Sequence, residues 1–256
     1  MKTSGNTILI TGGASGIGRE LAERFHAQGN TVIIAGRRQD RLDEVAAGHD
    51  GIVGYALDIA SPESIAAFAA DVIRNHPDLN VLINNAGVMM FEDLARSRDL
   101  TDAESTIATN LLGPIRLTDA LIDHLTTRPN AAIVNVSSGL AFVPLVSTPT
   151  YSATKAAIHS YTISLREALK GKVEVIELAP PAVQTELTPG QSTRSGYMPL
   201  NDFMDEVMSL FSQQPTPPEI LVKNVGFLRF AEAEKRFDET LTALNDFARK
   251  AREGGH

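Results

Sequence analysis

The sequence predicts an α/β protein built around a single doubly wound parallel sheet. Short runs rich in β-branched residues alternate with helical patterns as far as residue 178. These runs are apolar throughout, as expected of strands that helices cover on both faces. Helical crossovers make successive strands parallel, and the ligand crevice of such a sheet lies at the carboxyl ends of its strands. We therefore expect the functional residues to follow the strands.

Six strands are predicted, and helical patterns separate them. The strands lie at residues 7–11, 31–35, 52–57, 81–84, 131–136 and 173–178. The helices lie at residues 16–28, 38–47, 61–75, 101–126 and 151–170. Nothing in the composition marks a domain boundary, so the 256 residues are expected to form one domain, 1–256.

The chain changes character after residue 178. Residues 179–218 contain seven prolines and a short amphipathic piece at 200–211, which predicts a long connection that includes a helix. We expect this connection to supply a substrate lid over the crevice, at residues 188–214. From residue 219 to 252 the pattern is helical, so a helical C-terminal segment is expected in place of a further strand.

The composition argues against several classes of function. A net charge of −8 offers no sequence-wide basic surface, which argues against nucleic acid as a partner. The absence of cysteine excludes thiolate metal sites, and the six histidines show no metal-binding spacing, so no metal site is predicted. The first apolar run is too short for a signal peptide, and no stretch approaches the ~18 apolar residues of a membrane span. We expect a cytoplasmic protein with no membrane partner.

The first strand leads into a glycine-rich turn of the kind that binds a pyrophosphate. The sequence Thr11-Gly-Gly-Ala-Ser-Gly-Ile-Gly18 stands between this strand and a helix-forming segment. Its glycines permit a tight turn and close approach of the phosphates, and the helix N-terminus presents free N–H groups to them. The order strand, turn, helix predicts a Rossmann-type dinucleotide site. The candidate residues are Gly12, Ser15, Gly16, Ile17 and Gly18.

The end of the second strand favours NADP(H) over NAD(H). An NAD site usually has an acidic residue about 20 positions after the turn. Here the strand ends in Gly36-Arg37-Arg38. Glycine removes the carboxylate that would repel a 2′-phosphate, and a guanidinium can donate hydrogen bonds to that phosphate. The alternative is that Arg37 and Arg38 are solvated loop charges.

A tyrosine and a lysine one helical turn apart form the candidate proton-transfer group. Tyr151 and Lys155 share one face of a predicted helix, and Ser138 lies thirteen positions before the tyrosine, after the fifth strand. A phenol titrates near pH 10 in water, and a neighbouring cation would lower that pKa. This arrangement can build a general acid/base without histidine or carboxylate.

Together with Asn84-Asn-Ala-Gly87 and Asn110, these motifs resemble the short-chain dehydrogenase/reductase family over about residues 5–187. The resemblance implies that Tyr151 is the general acid/base for a carbonyl or secondary alcohol. It implies that Lys155 binds the nicotinamide ribose and lowers the tyrosine pKa, and that Ser138 orients the substrate oxygen. Asn110 would hold a water that links Lys155 to solvent.

The resemblance also implies the rest of the cofactor site. Asp58 would contact the adenine, and Asn84, Ala86 and Gly87 would form part of the cofactor wall. Val183 and Thr185 match the segment that binds the carboxamide. For single residues a simpler interpretation stays open: Asp58 could be a helix cap, and Asn84 and Asn110 buried turn-formers.

Two departures from the family pattern affect the expected assembly and pocket. Pro180-Pro181 replaces the usual Pro-Gly after the sixth strand, which should stiffen the backbone next to the nicotinamide pocket. The missing last strand puts tetramer contacts in doubt, so we expect a homodimer through the helices at 101–126 and 151–170.

The substrate and two alternative functions complete the predictions. Apolar residues near 89–91, 140–150 and 188–214 suggest a largely apolar carbonyl or alcohol substrate, although they could simply pack the lid against the body. They include Phe142, Val143, Leu145, Val146, Tyr197, Met198, Phe203 and Met204.

The pattern Ser152-x-x-Lys155 also occurs in serine acyl hydrolases, but their other motifs are absent. The stronger alternative is a non-catalytic dinucleotide-binding redox sensor or scaffold.

Overall fold

A parallel seven-stranded sheet forms the centre of the protein, with the strand order β3-β2-β1-β4-β5-β6-β7. The computed structural model describes residues 1–253, and side chains as far as residue 250, so the last three residues of the predicted domain lie outside the described residues. The strands are β1 (Thr7–Thr11), β2 (Thr31–Gly36), β3 (Ile52–Ala56), β4 (Leu79–Asn84), β5 (Ala132–Val136), β6 (Glu174–Leu178) and β7 (Glu219–Ile220). The helices are α1 (Gly16–Ala27), α2 (Gln39–Ala47), α3 (Pro62–Asn75), α4 (Thr101–Ile107), α5 (Gly113–Leu125), α6 (Pro149–Ala168), α7 (Leu200–Phe211), α8 (Gly226–Arg229) and α9 (Phe237–Glu253).

The strand order reverses beside β1, and this reversal positions the crevice. The chain builds β1, β2 and β3 outward in one direction and then returns to place β4 on the other side of β1. Loops that leave the carboxyl ends of β1 and β4 therefore separate to opposite faces of the sheet, which opens a crevice between them. The doubly wound parallel sheet and all six predicted strands are confirmed.

Two apolar layers cover the sheet, because successive side chains of a strand point to opposite faces. Ile8 and Ile10 of β1 pack with α1, α2 and α7, whereas Leu9 packs with α3, α5 and α6. Both faces of the central strands are buried, which accounts for their continuous apolar sequences. Among the described residues, none of the helices combines the length and apolarity that crossing a membrane requires.

The structure corrects two of the predicted elements. A seventh strand, Glu219–Ile220, pairs with β6 at the start of the segment that was predicted to be helical throughout, because Ala179 and Glu177 need partners at that edge. Helices α8 and α9 follow it, so the helical character of the C-terminal segment is otherwise confirmed. The predicted helix 101–126 is interrupted by a π-helical stretch, Ala108–Leu112, which separates α4 from α5.

Candidate active site

The glycine turn after β1 has a shape that two of its glycines make possible. Gly16 has a φ of +52°, in the left-handed region that other residues avoid. A Cβ on Gly18 would lie 2.3 Å from the carbonyl oxygen of Gly12 and 2.4 Å from Nδ2 of Asn85. Ser15 precedes α1 without a side-chain capping bond, so the first-turn N–H groups face the crevice without that partner. The turn therefore fits a bound phosphate group.

Asn85 ties the end of β4 to this turn, although the sequence analysis did not single it out. Its Nδ2 donates to the carbonyl oxygen of Thr11 at 2.9 Å. In return, Oγ1 of Thr11 accepts from the backbone N–H groups of Asn85, at 3.1 Å, and Ala86, at 3.0 Å. These bonds hold the two walls of the crevice together. The doubled asparagine of Asn84-Asn85 was the available signal, since two amides in succession must face different environments.

Asn84 is buried at the end of β4. Its Nδ2 donates to Oγ1 of Thr118 at 3.1 Å and to Oδ1 of Asn135 at 2.9 Å, and Asn135 donates to Thr162 at 2.9 Å. These four side chains link β4 and β5 to the helices α5 and α6 behind them. The structure thus favours the structural interpretation of Asn84 that the sequence left open, whereas Ala86 and Gly87 are half-buried next to the crevice.

Thr185 lies directly across the crevice from the glycine turn. A Cβ on Gly16 would lie 3.5 Å from Cβ and Cγ2 of Thr185. The buried Gln191 holds this region from behind, since its Nε2 donates to the carbonyl oxygen of Val183 at 2.9 Å and to Oγ1 of Thr185 at 3.3 Å. Val183 itself is buried in the core. The segment that carries Val183 and Thr185 therefore forms the wall opposite the start of α1.

Arg37, Arg38 and Asp58 lie on the exposed rim at the ends of β2 and β3. Among the described residues, neither arginine forms an ion pair or a side-chain hydrogen bond. Oδ1 of Asp58 accepts from the N–H of Ala60 at 3.0 Å, so this carboxylate shapes the turn that leads into α3. A turn-forming role for Asp58 is therefore observed, and its adenine contact stays a prediction.

Asn110 stabilises the loop after β4 from within the π-helical stretch. Its Oδ1 accepts from the N–H of Val88 at 2.9 Å, and its Nδ2 donates to the carbonyl oxygen of Val88 at 2.8 Å. Gly87 passes between this amide and Lys155, because a Cβ there would lie 3.3 Å from Oδ1 of Asn110 and 3.7 Å from Nζ of Lys155. Asn110 is thus next to the lysine, with its amide bonded to backbone. The bridging water stays a prediction.

Tyr151, Lys155 and Ser138 come together at the carboxyl end of β5. Nζ of Lys155 lies 5.5 Å from the centre of the Tyr151 ring and donates to the carbonyl oxygen of Val136 at 2.8 Å. Ser138 begins a short 3₁₀ turn, and its Oγ accepts from the N–H of Leu140 at 3.1 Å. All three side chains are more than nine-tenths buried.

Burial dominates the protonation of this group. It raises the pKa of Tyr151 to about 12, while hydrogen bonding with Ser138 acts in the opposite direction. Burial also lowers the pKa of Lys155 to about 8, against the charge of Glu177, which raises it. The net effect on the phenol is therefore a pKa above that of free tyrosine, because desolvation is the largest cause. That Lys155 lowers the tyrosine pKa stays a prediction.

A cleft of about 470 Å³ opens next to Tyr151 and Ser138. Its lining is mostly apolar, and Phe227 and Phe247 expose about half of their surface (52% and 49%). Among the described residues that line it there is no aspartate or glutamate, and Lys223 is the charged one. Other apolar lining residues include Met89, Leu140, Leu145 and Met198.

Only part of the predicted pocket faces this cleft. Leu145, Tyr197 and Met198 line it as expected. Phe203 and Met204 are fully buried, because the apolar face of α7 packs against α1 and the sheet. Val143 is fully buried in a separate small cluster with Leu228 and Ala231. Of the predicted lid 188–214, the part before α7 therefore borders the cleft, through Gln191 and 196–198, and the closing motion stays a prediction.

Helix α9 forms a second wall that the sequence analysis did not assign to the cleft. Leu244, Phe247 and Ala248 line the cleft from this helix. Oδ1 of Asn245 accepts from the N–H of Val146 at 2.8 Å, and its Nδ2 donates to the carbonyl oxygen of Pro144 at 3.2 Å. The helix is thereby held against the loop that precedes α6. The amphipathic pattern of residues 237–253 was the available signal, but a pattern cannot show which surface the apolar stripe covers.

One cluster of metal-ligand type occurs among the described residues, at His159, Glu177 and Glu219. Its ligand atoms are already engaged. Glu219 makes two hydrogen bonds to Arg229, at 2.8 and 2.9 Å, and Glu177 lies 2.7 Å from the imidazole of His159. The guanidinium of Arg229 therefore already balances the charge of Glu219.

The positions of the crevice and the cleft define a class of protein. A crevice at the reversal point of a parallel sheet, with a phosphate-binding turn on its floor, binds a dinucleotide. The adjoining cleft can hold a second small molecule against a tyrosine that carries a proton. The protein is therefore an oxidoreductase of the dinucleotide-binding class.

Comparison with known proteins identifies the family. A family model described as short chain dehydrogenase matches residues 6–195, and the chain belongs to this family of oxidoreductases, which act on alcohols and carbonyls. The chain is 42% identical over 198 residues to the uncharacterized oxidoreductase DltE of Bacillus subtilis (strain 168). That similarity covers 77% of this chain and 79% of the relative.

Solved structures show the same fold with either type of dinucleotide. A short chain dehydrogenase from Burkholderia cenocepacia J2315 in complex with NADP has a TM-score of 0.80 and 25% identity, with 96% of this chain and 99% of that chain covered. The 3-ketoacyl-(acyl-carrier-protein) reductase from Brucella melitensis, complexed with NADH, has a TM-score of 0.75 and 26% identity, with 84% and 94% covered. The neighbours thus include both NADP and NADH complexes.

Proposed function

We propose that the protein is an NADP(H)-dependent oxidoreductase that interconverts a carbonyl compound and a secondary alcohol, with Tyr151 as the general acid/base. The observation that carries the proposal is the place of the phenol. Tyr151 is buried next to Ser138 at the wall of a mostly apolar cleft. A proton donor at this position can transfer its proton to the oxygen of a substrate bound in the cleft.

The dinucleotide would be held along the crevice between the glycine turn and the segment with Thr185. Gly12, Ser15, Gly16, Ile17 and Gly18 would face its phosphates, and the close approach at Gly18 leaves no room for a side chain there. The walls would come from Ala86, Gly87 and Thr185, with Val183 and Asn84 supporting them from the core. When bound, the nicotinamide donates or accepts the hydride.

The chain's own residues manage the proton. With a pKa of about 12, Tyr151 is protonated at neutral pH, so it is ready to donate its proton to a carbonyl oxygen. Ser138 would orient that oxygen with its hydroxyl. Lys155 places a positive charge next to the phenol, which stabilises the phenolate that donation leaves behind. Asn110 would hold the lysine's surroundings in place through Val88.

The preference for NADP(H) rests on the free guanidinium groups of Arg37 and Arg38. Both lie on the rim at the end of β2, where a 2′-phosphate would be recognised, and neither has an acidic partner among the described residues. Gly36 leaves this strand end without a carboxylate that would bind a ribose hydroxyl. Two unpaired cations in this position favour the doubly charged phosphate.

The substrate would be a small, largely apolar carbonyl compound or alcohol, neutral or negatively charged. Among the described residues that line the cleft, Lys223 is the charged one, and its positive charge disfavours a cationic substrate. The exposed rings of Phe227 and Phe247 would cover an apolar body. The segment before α7 and helix α9 would act as the lid, since both border the cleft.

The protein would form a homodimer through α4, α5 and α6. Ile107 of α4, Leu112 of the π-helical stretch between α4 and α5, and Ile163 of α6 expose 37–47% of their surface on the described chain. Branched apolar side chains exposed in this number on neighbouring helices gain stability when a second copy covers them.

Replacement of the tyrosine tests the proposed function. Tyr151→Phe removes the proton donor and keeps the ring, so we expect NADPH-dependent reduction across a panel of apolar ketones and aldehydes to fall at least about 100-fold. Cofactor affinity, measured by fluorescence titration, should change little. The matched control is Tyr161→Phe on the same helix, which should keep its activity. Turnover by Tyr151→Phe at the rate of the unmodified protein contradicts the assignment, and no turnover by the unmodified protein favours the redox sensor or scaffold.

A further inference from the structure

A fully buried carboxylate, that of Glu177, lies behind the candidate active site and has no role in the proton transfer proposed above. Glu177, on β6, has no exposed surface. Its Oε1 accepts from the hydroxyl of Ser137 at 2.5 Å, and its Oε2 lies 2.7 Å from Nδ1 of His159. Moving a carboxylate from water into the core costs free energy, so a buried carboxylate needs hydrogen-bonding or charged partners. Its presence in the core suggests a function.

The sheet register places Glu177 under the residues that hold the lysine and the substrate oxygen. Glu177 is paired with Asn135, and the next residues of β5 are Val136, Ser137 and Ser138. Val136 provides the carbonyl oxygen to which Lys155 donates. The bond from Ser137 to Glu177 therefore fixes the segment between the lysine's backbone partner and Ser138.

The helix α6 approaches the same carboxylate from the other side. Tyr151, Lys155 and His159 follow one another at intervals of four residues, so they form one stripe along the helix. Glu177 contacts the third member of this stripe, and its charge acts to raise the pKa of the second, Lys155. The carboxylate thus joins β5 and α6 at the point where they present Ser138, Tyr151 and Lys155.

The other charged groups near Glu177 bond to partners other than Glu177. Arg229 of α8 bonds Glu219 of β7 through two hydrogen bonds and lies 4.8 Å from the centre of the Phe142 ring. Arg166 of α6 donates to backbone carbonyl oxygens, at 2.8 Å in both cases. Lys155 and Arg166 are therefore nearby cations that no carboxylate bonds directly among the described residues, and the charge of Glu177 acts on Lys155.

We propose that Glu177 is a positioning residue for this site: its carboxylate orients the Ser137–Ser138 segment and supplies the buried negative charge that acts on the ammonium of Lys155. The inference rests on the proposed function, since it assigns a role in that same proton transfer. The direction of the electrostatic effect agrees with it, because Glu177 raises the pKa of Lys155 while burial lowers that pKa to about 8. Without Glu177, more of the lysine would be neutral at physiological pH.

The test is the pH profile of Glu177→Gln, which keeps the shape and hydrogen bonding of the side chain and removes its charge. We expect the alkaline limb of kcat for carbonyl reduction to move about 1 pH unit toward lower pH. At pH 8 the protonated fraction of Lys155 would then fall from about one half to about one tenth, which lowers kcat about fivefold. KM should change little, because Glu177 does not line the cleft.

Three comparisons separate this role from a purely structural one. Glu219→Gln removes a neighbouring carboxylate that bonds Arg229, and its alkaline limb should stay where it is in the unmodified protein. Glu177→Asp keeps the charge, so its limb should also stay there even if kcat falls. Ser137→Ala leaves Glu177 in place and should lower kcat several-fold with an unchanged limb, which keeps the proposal testable if Glu177→Gln fails to fold.

The outcomes distinguish this inference from the proposed function. If the unmodified protein reduces carbonyl compounds and the limb of folded Glu177→Gln stays unmoved, the role of Glu177 is refuted and the proposed function stands. If Glu177→Asp shifts the limb as far as Glu177→Gln does, charge is not the cause, and the inference also fails. If the unmodified protein reduces none of the panel, the proposed function itself fails.

Discussion

At the scale of single residues, burial acts in opposite directions on the two members of the proton-transfer pair. The neutral form of each is favoured, so the phenol holds its proton more firmly and the ammonium holds its proton less firmly than in water. For Tyr151 this leaves the donor form present over the whole physiological range. For Lys155 it places the loss of charge close to the pH at which the enzyme would be assayed.

The pH dependence of carbonyl reduction follows from these two values. Tyr151 stays protonated below a pKa of about 12, so it causes no loss of rate between pH 6 and pH 9. Lys155 loses its proton as the pH rises through about 8, so we expect kcat to be level below that pH and to fall above it. Steady-state kinetics over a range of pH would measure this limb.

Arginine at position 155 provides the decisive variant for this limb. A guanidinium keeps its proton at every pH of interest. Lys155→Arg, if active, should therefore lose the alkaline limb near pH 8, while Lys170→Arg, at an exposed lysine just after α6, should keep it. A limb near pH 8 that persists in Lys155→Arg shows that another group titrates there.

At the scale of elements, the turn from β2 into α2 carries two arginines that have no acidic partner among the described residues, unlike the arginines of α1 and α2. Arg19, Arg24 and Arg41 on the neighbouring helices each bond an acidic side chain. Arg37 and Arg38 have no such partner among the described residues. Exposed arginines of an acidic chain usually find a carboxylate nearby, so two that remain free at a strand end mark a surface suited to an anion.

The cofactor preference should depend on this turn. Arg37→Ala removes a donor for the 2′-phosphate, so we expect KM for NADPH to rise about tenfold or more and KM for NADH to change less than about twofold. Arg41→Ala is the matched control, since it removes an arginine of α2 that already pairs with Glu44. An equal rise of KM for NADPH and for NADH, measured by initial rates at matched salt concentration, would show that Arg37 does not bind the 2′-phosphate.

At the scale of the whole molecule, the two long faces of the sheet are not equivalent. Helix α7 closes one face by burying Phe203, Met204, Val207 and Phe211. On the α4–α6 side, apolar residues remain at the surface of the described chain. The homodimer proposed above would cover these residues.

Charge placed in that face should separate the dimer. Ile163 lies on α6 with 47% of its surface exposed, so Ile163→Glu would bury a carboxylate without a partner if two copies met there. We expect sedimentation velocity at micromolar concentration to show a dimer for the unmodified protein and a monomer for this variant. Leu94→Glu, at an exposed apolar residue outside these helices, should remain dimeric. If the unmodified protein sediments as a monomer, the proposed homodimer is contradicted.

Sequence patterns predicted most of the fold, because the same local forces act along the chain and in the folded molecule. Continuous apolar runs specified β1 to β6, and the glycine turn specified the start of α1. The two-residue strand β7 escaped prediction, since Glu219 and Ile220 pair only because β6 leaves an edge beside them. Within the candidate site, the proximity of Lys155 to Tyr151 could be predicted from their spacing. The proximity of Glu177 to the site could not, because nothing in the sequence of its strand distinguishes it.

The doubly wound sheet, the phosphate-binding turn and the tyrosine–lysine pair could be predicted from the sequence, because they depend on the local spacing of residue types. The environment of each group depends on the folded structure. It buried Tyr151 and Lys155 so that their pKa values moved apart, turned Asn84 into the core, brought α9 over the cleft and set Glu177 behind Ser138. Desolvation and contacts between distant segments exist only after folding, so no reading of neighbours along the chain could have supplied them.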